Sequence, residues 1–461
     1  MAVTNVLKEE LISELKDLQR ELTAEDLKRT LGRTVKRDDA NKTITFLAML
    51  LAQTNQDQFN VAFQAESSTG KSYIPLEILE YFPSSDKRTY GGASPTSFYH
   101  EVGRWMELAE AARIVDLRGV FDENELADEK RKVILVNLEN KILVFLDQPH
   151  WQLMERLRPL ASHDKKILRY SITDKNAKGA LRSKSVLLIG FPALMFSTAK
   201  VNVDEQERTR TAILSPEISQ EKLRESLTLL ARKLGDRKTF QTEIESDPER
   251  LWLKHRVNAI RVTGIKEINI PQAEKILEEF QQTRPKLAPR HTRDFPRLLF
   301  FIKGFALLNC FQRQRNEDTI TANETDIKEG FELYKQIADS NELGISPEIY
   351  QFYNEVIQPL RNDAGINRID IAKAYRQHYG RPIGWKRLTN EYLPALESSG
   401  LIHQERNPDD RRQMLVYTTQ PNNMPPNRGD TLQLHPLVQG HISQQPQGPL
   451  EIIATEEALS S

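Results

Sequence analysis

One cysteine in 461 residues leaves no partner for an internal disulfide, so packing must hold the fold together. That residue, Cys310, lies in an apolar helical run and reads as a core residue of a reducing compartment, not as a nucleophile. Long apolar runs are also missing. The longest, Val186 to Phe196, is too short to span a bilayer and is interrupted by Gly190 and Pro192. The charged, helical N-terminus lacks a signal-peptide core, which predicts a cytoplasmic protein with no membrane partner, nucleoid-associated in a prokaryote. Charge of one sign is lacking too: 64 Lys and Arg against 65 Asp and Glu give a net charge of -1. Any nucleic-acid contact must therefore come from local patches and not from the overall field. A mean hydropathy of -0.55 with 28% charged residues describes a soluble chain. Its length suits roughly two to four ordinary domains.

What is present centres on Asn60-Val-Ala-Phe-Gln-Ala-Glu-Ser-Ser-Thr-Gly-Lys-Ser-Tyr73, an apolar strand, a small-residue loop and a helix start. From Ala65 to Ser72 the spacing is A-x-x-x-x-G-K-S, one residue from the phosphate-loop pattern. Ala65, Glu66, Ser67, Ser68, Thr69 and Gly70 can turn backbone N–H groups inward as an anion nest at a helix N-terminus, and Tyr73 closes the segment. Lys71 is placed to reach the β- and γ-phosphates of ATP, and the Ser72 hydroxyl to bind Mg²⁺. Pro75 falls in the first turn of a helix expected over 72–81.

Further along, Lys141-Ile-Leu-Val-Phe-Leu-Asp-Gln148 is apolar until its carboxyl end, as buried parallel strands are where ligands bind. Asp147 is a candidate second Mg²⁺ ligand. Gln148 follows where a carboxylate usually polarises the attacking water; an amide orients water but cannot accept its proton, which predicts slow hydrolysis. Glu66 is the alternative base. Residues 167–190 suggest a β-hairpin with Lys175 and Lys178 at a basic tip, then a central strand. Those lysines either contact a ligand or are simply solvated. That strand ends at Phe196-Ser-Thr-Ala199, which places Ser197 or Thr198 near Asp147 and the γ-phosphate. Arg208 and Arg210 follow, as a surface charge run or as a finger acting on a neighbour's nucleotide. Strand-like runs are also expected around Ile114 and over 133–138, and amphipathic helices over 39–54 and much of 220–282.

Arg290 to Cys310 and Thr319 to Tyr334 open helices suited to a small lid, with Arg293 at the mouth of the first. From Ser346 three helices and two strands spell a winged helix-turn-helix. Lys386, Arg387, Arg406, Arg411 and Arg412 are its candidate DNA contacts, diluted by Glu405, Asp409 and Asp410. The stretch from Gln420 onward is rich in Pro, Gln and Asn and reads as disordered.

This ordered set resembles the AAA+ ATPases and, within them, the core of the minichromosome maintenance (MCM) replicative helicases, over roughly Phe46 to Leu415. The most specific match is Ala177-Lys-Gly-Ala-Leu-Arg-Ser-Lys-Ser-Val-Leu187, which looks like that family's pre-sensor hairpin. The resemblance makes Lys178 the pore lysine that contacts DNA. Thr292-Arg-Asp-Phe-Pro-Arg-Leu298 looks like the sensor-2 helix, making Arg293 the sensor. The chain departs from the family in the lead of its phosphate loop, in Gln148 and in lacking the Ser-Arg-Phe-Asp finger motif. No oligonucleotide-binding domain or zinc site precedes the loop.

The expected architecture is α/β: an N-terminal helical segment (1–44), a P-loop ATPase core (45–218), a helical lid (219–340), a winged helix (341–418) and a disordered tail (419–461). The resemblance implies a hexameric ring that uses ATP and Mg²⁺ to move DNA. Two rival expectations stand beside it. One is an ATP-switched initiator, loader or transposition regulator with slow hydrolysis, and the other is an ATPase acting on protein partners through its winged helix.

Overall fold

The computed structural model describes residues 18–65, 69–128, 131–174, 182–198, 211–284, 287, 290–408, 410 and 412–419. In chain order the first strands are β1 (Asn60–Gln64), β2 (Lys87–Tyr90), β3 (Arg104–Glu107), β4 (Lys132–Asn137), β5 (Ile142–Phe145), β6 (Ile167–Asp174), β7 (Arg182–Ile189), β8 (Ala193–Thr198) and β9 (Thr211–Leu214). Five of them form a wholly parallel sheet in the order β2-β5-β8-β1-β9. The chain is thus α/β with a parallel central sheet.

Helices cover both faces of that sheet, which is why its inner strands are continuous apolar runs. Val61, Phe63, Ile142, Val144, Ala193, Met195, Ala212 and Leu214 face the helices Asp39–Leu50 and His291–Leu308. Ala62, Leu143, Phe145, Leu194 and Phe196 face the helices Pro95–Val102 and Trp151–Ala161. The alternation of side chains along each strand sorts one sequence into two cores. Asp39–Leu50 is not the amphipathic surface helix its charges suggest. It is sandwiched between sheet and helix, and every residue from Asn41 to Leu50 is buried.

The other four strands form a second sheet, β3-β4-β7-β6, in which β4 and β7 are parallel and the outer pairs antiparallel. The β6–β7 hairpin expected from the sequence is present. Its tip, including Lys175 and Lys178, lies outside the described residues. The run after the tip is the hairpin's return limb, and the central strand that follows it is β8. Nor is Ile114 in a strand, since it ends the helix Leu108–Ile114.

The two sheets are joined by a bent double ribbon. β4 leads into β5 and β7 into β8, and the paired strands stay bonded across the bend through Leu138 N to Ile189 O (2.7 Å) and Ala193 N to Lys141 O (2.9 Å). Asn140 and Gly190 make the corner with left-handed backbone, φ 56° and 88°. A Cβ on Gly190 would lie 2.5 Å from Glu139 N and 2.8 Å from its Cα.

After β9 come the helices Gln220–Gly235, Arg237–Glu245, Pro248–Thr263, Ala273–Gln282, His291–Leu308 and Glu324–Glu342, with a small sheet of β10 (Glu267–Asn269), β11 (Gln314–Asn316) and β12 (Thr319–Thr321). Asn323 starts the helix Glu324–Glu342: Asp326 N donates to its Oδ1 and Asn323 N to Asp326 Oδ2, both at 3.0 Å. Cys310 is buried, and burial pushes its thiol up to about 12.

The last described unit has the helices Pro347–Phe352 and Arg368–Tyr379, a helical run over 385–398, and an antiparallel sheet of β13 (Ile366–Asn367), β14 (Ile402–Arg406) and β15 (Met414–Thr418). Its separate core includes Ile349, Phe352, Ile371, Leu388, Leu393 and Val416. Among the described residues no helix is long and apolar enough to cross a membrane.

Replacing Gly190 with Ala should destabilise the protein by about 2–4 kcal/mol, because strained backbone and a backbone clash coincide. Chemical denaturation measures the loss. His163 supplies a pH test. It is half-buried, 3.2 Å from Gln58 Oε1 and edge-on to Phe191, and burial pushes its pKa down to about 4. The unfolded chain therefore binds the extra proton between about pH 6.5 and 4, and the stability contributed by neutral His163 falls as pH drops through that window. Unfolding curves at about pH 7.5 and 5 should show the wild type losing roughly 1–2 kcal/mol more than His163→Asn, the Asn tolerating the left-handed backbone there.

Candidate nucleotide site

The strand register sets the site. Val61 and Val144 both pair with Met195, and Ala62 and Phe145 both pair with Phe196. Two residues further on, Gln64 is paired with Thr198, so Asp147 leaves β5 at the same level. The loop after β1 and the carboxylate after β5 thus emerge on either side of β8.

Ala65 N donates to Thr198 O at 3.3 Å, which carries the chain off the end of β1. Glu66, Ser67 and Ser68 lie outside the described residues. Thr69 and Gly70 are half-buried, and Gly70 has φ 96° with no described residue within 4 Å of where a Cβ would stand. A left-handed glycine suits a close backbone approach to a ligand. Ile74 N donates to Gly70 O at 3.0 Å and starts the helix Tyr73–Leu79, shorter than expected, with Pro75 in its first turn. Lys71 folds back over the loop, its Nζ donating to Ala65 O at 3.3 Å. Tyr73 points away, its hydroxyl donating to Thr34 O at 3.1 Å.

Ser72 faces the other side of the site. Its Oγ lies 3.3 Å from both Leu146 O and Ser197 Oγ, and Ser197 Oγ donates to Lys71 O at 3.3 Å. Asp147, next in the chain after Leu146, is exposed and makes no hydrogen bond or ion pair with another described residue. Thr198 is buried and donates from Oγ1 to Gln148 Oε1 at 3.2 Å. Lys71, Ser72, Asp147, Gln148 and Thr198 are therefore brought together. An exposed carboxylate next in the chain to a carbonyl that meets the Ser72 hydroxyl is a donor set that fits hydrated Mg²⁺, a hard cation that keeps several waters.

Sequence reasoning missed the support of this loop. Asp38, with φ 52°, is buried; its Oδ1 accepts from Glu217 N (2.7 Å) and Asn41 Nδ2 (2.9 Å), and its carboxylate pairs with Lys222. Lys222 Nζ also lies 3.4 Å from Thr69 O, so this ion pair touches the loop itself. Burial raises the Asp38 pKa, and the Lys222 charge draws it back down. No local pattern announces a pair whose members are far apart in sequence. Ser197 was named only as an alternative to Thr198, yet it is the residue that meets Ser72.

The cationic candidates divide. Arg208, Arg210 and Arg411 lie outside the described residues. Arg293 is exposed, and its neighbour Arg297 bonds Thr211 O, opposite Asn60 at the amino-terminal end of the sheet. Lys386, Arg406 and Arg412 are exposed. Arg387 is turned inward, its Nη2 donating to both carboxylate oxygens of Glu348 at 3.2 Å, because that buried carboxylate needs a partner. It is not the outward DNA contact that the sequence suggested.

No family model matches the chain, and no curated protein matches it. Solved structures similar to it include the active helicase Cch of SCCmec type IV, at 11% identity and a TM-score of 0.31 over 87% of this chain and 71% of that one. Another is the apo A form of the NrS-1 C-terminal region, at 11% identity and a TM-score of 0.22 over 87% of this chain and 77% of that one. Function is read from the site's own geometry.

Lys222→Met should destabilise the protein by about 3–5 kcal/mol, since it leaves the Asp38 carboxylate buried without its counter-ion. Urea unfolding checks this. Removing both charges with Asp38→Asn and Lys222→Met should recover part of the loss.

Proposed function

We propose that the chain is an ATP-driven DNA motor of the AAA+ class, similar to the MCM helicase core. One observation carries this reading: the Gly70-Lys71-Ser72 loop after β1 and Asp147 after β5 flank β8, with Ser72 in contact with both sides. In this reading Lys71 and the loop N–H groups hold the triphosphate, while Ser72 and Asp147 hold Mg²⁺, which supplies charge neutralisation at the phosphates. Thr198 fixes the side-chain amide of Gln148, which orients water. Arg208 or Arg210 acts on the nucleotide of a neighbouring subunit in a hexameric ring. Lys175 and Lys178 on the hairpin tip contact DNA, and Arg293, exposed at the mouth of the helix His291–Leu308, acts as the lid sensor.

The proposed domains are an ATPase core over 45–218, a helical lid over 219–340 and a winged helix over 341–418. Three helices with an antiparallel sheet support the last of these, and exposed Lys386, Arg406 and Arg412 are its candidate phosphate contacts. The bond from Thr198 to Gln148 favours one alternative, an ATP-switched DNA-binding initiator or loader. A neutral amide already engaged at its oxygen is a poor base, so turnover would be slow.

The test is ATP turnover by the full chain with and without single-stranded and forked DNA. Lys71→Ala should lower turnover by on the order of a hundredfold or more; unchanged turnover sinks the assignment. Strong DNA stimulation that Lys178→Ala removes supports the motor. Tight ATP binding with slow turnover that ignores DNA selects the switch.

A further inference from the structure

The helix Gln220–Gly235 carries a row of leucines that the rest of the chain leaves largely open. Ser219 caps the helix, its Oγ accepting from Lys222 N at 3.1 Å, and Lys222 and Leu229 are its buried residues. Leu223, Leu227, Leu230 and Leu234 lie on another stripe and are 43, 63, 47 and 62% exposed. Steps of four, three and four residues are the spacing of a coiled-coil seam, here over about 16 Å of helix. A single exposed leucine needs no explanation, but four in one row mark a contact surface.

The chain has a segment that suits this row. Residues 1–17 precede the described chain and carry Val3, Leu7, Leu11 and Leu15 at steps of four, one stripe of a helix about as long as the leucine row. Their charges are Lys8 and Lys16 against Glu9, Glu10, Glu14 and Asp17, an acidic balance. The helix Gln220–Gly235 has the opposite balance, Lys222, Arg224, Arg232 and Lys233 against Glu221 and Glu225. At helical spacing Arg224 and Lys233 border the leucine row on its two edges, and Glu10 and Glu14 border the N-terminal stripe. Acidic flanks beside basic flanks are how such seams choose a partner.

The base of this segment is fixed. Leu18 O accepts from Gln312 Nε2 at 2.6 Å and from Arg256 Nη1 at 3.3 Å, and Leu22 exchanges two bonds with the Asn309 side chain at 2.8 and 2.9 Å. The helix of the leucine row is held by other groups, by Asp38 through Lys222 and by Arg37 through Glu225.

We propose that residues 1–17 of one copy form an arm that lies as a helix along Leu223, Leu227, Leu230 and Leu234 of a neighbouring copy. Arm and seat are different surfaces of the chain, so the contact is head-to-tail, and such contacts close into rings or run on as filaments. No nucleotide takes part, so the arm stands or falls apart from the reading of the loop.

The experiment uses full-length protein without nucleotide. Leu11→Cys protein is mixed with differently tagged Leu227→Cys or Leu230→Cys protein and oxidised with copper phenanthroline, the wild type with its buried Cys310 serving as background. At least one pair should form a disulfide between the two copies. Its absence from both pairs overturns the arm, as does a Leu11→Cys/Leu230→Cys double variant that closes only within its own chain. Sedimentation velocity gives a second reading. Leu227→Glu/Leu230→Glu, at exposed positions, and Leu7→Glu/Leu11→Glu should each weaken self-association by on the order of a hundredfold. Mixing those two variants, which brings one intact arm to one intact seat, should restore a dimer. Association lost only in Leu227→Glu/Leu230→Glu overturns the arm and leaves the leucine rows pairing with each other. A monomeric wild type overturns it too and leaves the row to a different protein. If association persists in both variants, the cross-link decides.

Discussion

The parallel pairing of β8 with both β1 and β5 determines where chemistry can happen in this protein. Strands about 4.8 Å apart place the ends of β1 and β5 roughly 10 Å from each other, with the end of β8 between them. That gap can hold a phosphate chain and a hydrated cation but not a second backbone. The shared pairings of Met195 and Phe196 fix the level at which each loop departs. A slip of one residue in either pairing would turn Ser197 away from Ser72 and invert both cores. The apolar alternation on the two sheet faces therefore enforces the site as well as the fold.

Around this frame the charged groups are arranged by burial. Asp38 and Glu348 are both carboxylates drawn out of water, and each is held by a cation, Lys222 or Arg387. Ion pairs of this kind give little net stability, yet removing one partner is costly, so they act as position locks. The Asp38 lock adjoins the loop, and the Glu348 lock lies within the last described unit. Lys222 links its lock directly to Thr69.

Much of the frame was legible in the sequence, because its signals are local. The strand and loop at 60–73, the apolar run ending in Asp147, the hairpin limbs and the helix start at Asn323 are all written within about ten residues. What was not legible depends on contacts across the chain. The Glu217 to Asp38 bond spans 179 positions and the Lys222 to Thr69 contact 153. The inward turn of Arg387 depends on Glu348, 39 positions earlier. The short polar strand β2, Lys87–Tyr90, has no apolar alternation of its own and forms because β5 offers it an edge. Composition also misled at 39–50, where Asn, Lys and Thr are buried by satisfying main-chain acceptors: Thr45 Oγ1 donates to Asn41 O, and Lys42 Nζ to Arg37 O.

The bent ribbon of β4–β5 and β7–β8 has a mechanical meaning. A single strand passing from one sheet to another can swivel about its own axis, but two strands bonded on both sides of a corner cannot turn independently. The hairpin limb and Thr198 are two ends of one plied beam, and Asp147 lies at the end of the other ply. The beam's only left-handed backbone is at Asn140 and Gly190, so bending concentrates there. A displacement of the hairpin reaches both walls of the gap together and preserves their spacing. The geometry that brings the end of β5 to Ser72 is thus insulated from twisting of the hairpin, while remaining open to rotation about that one corner.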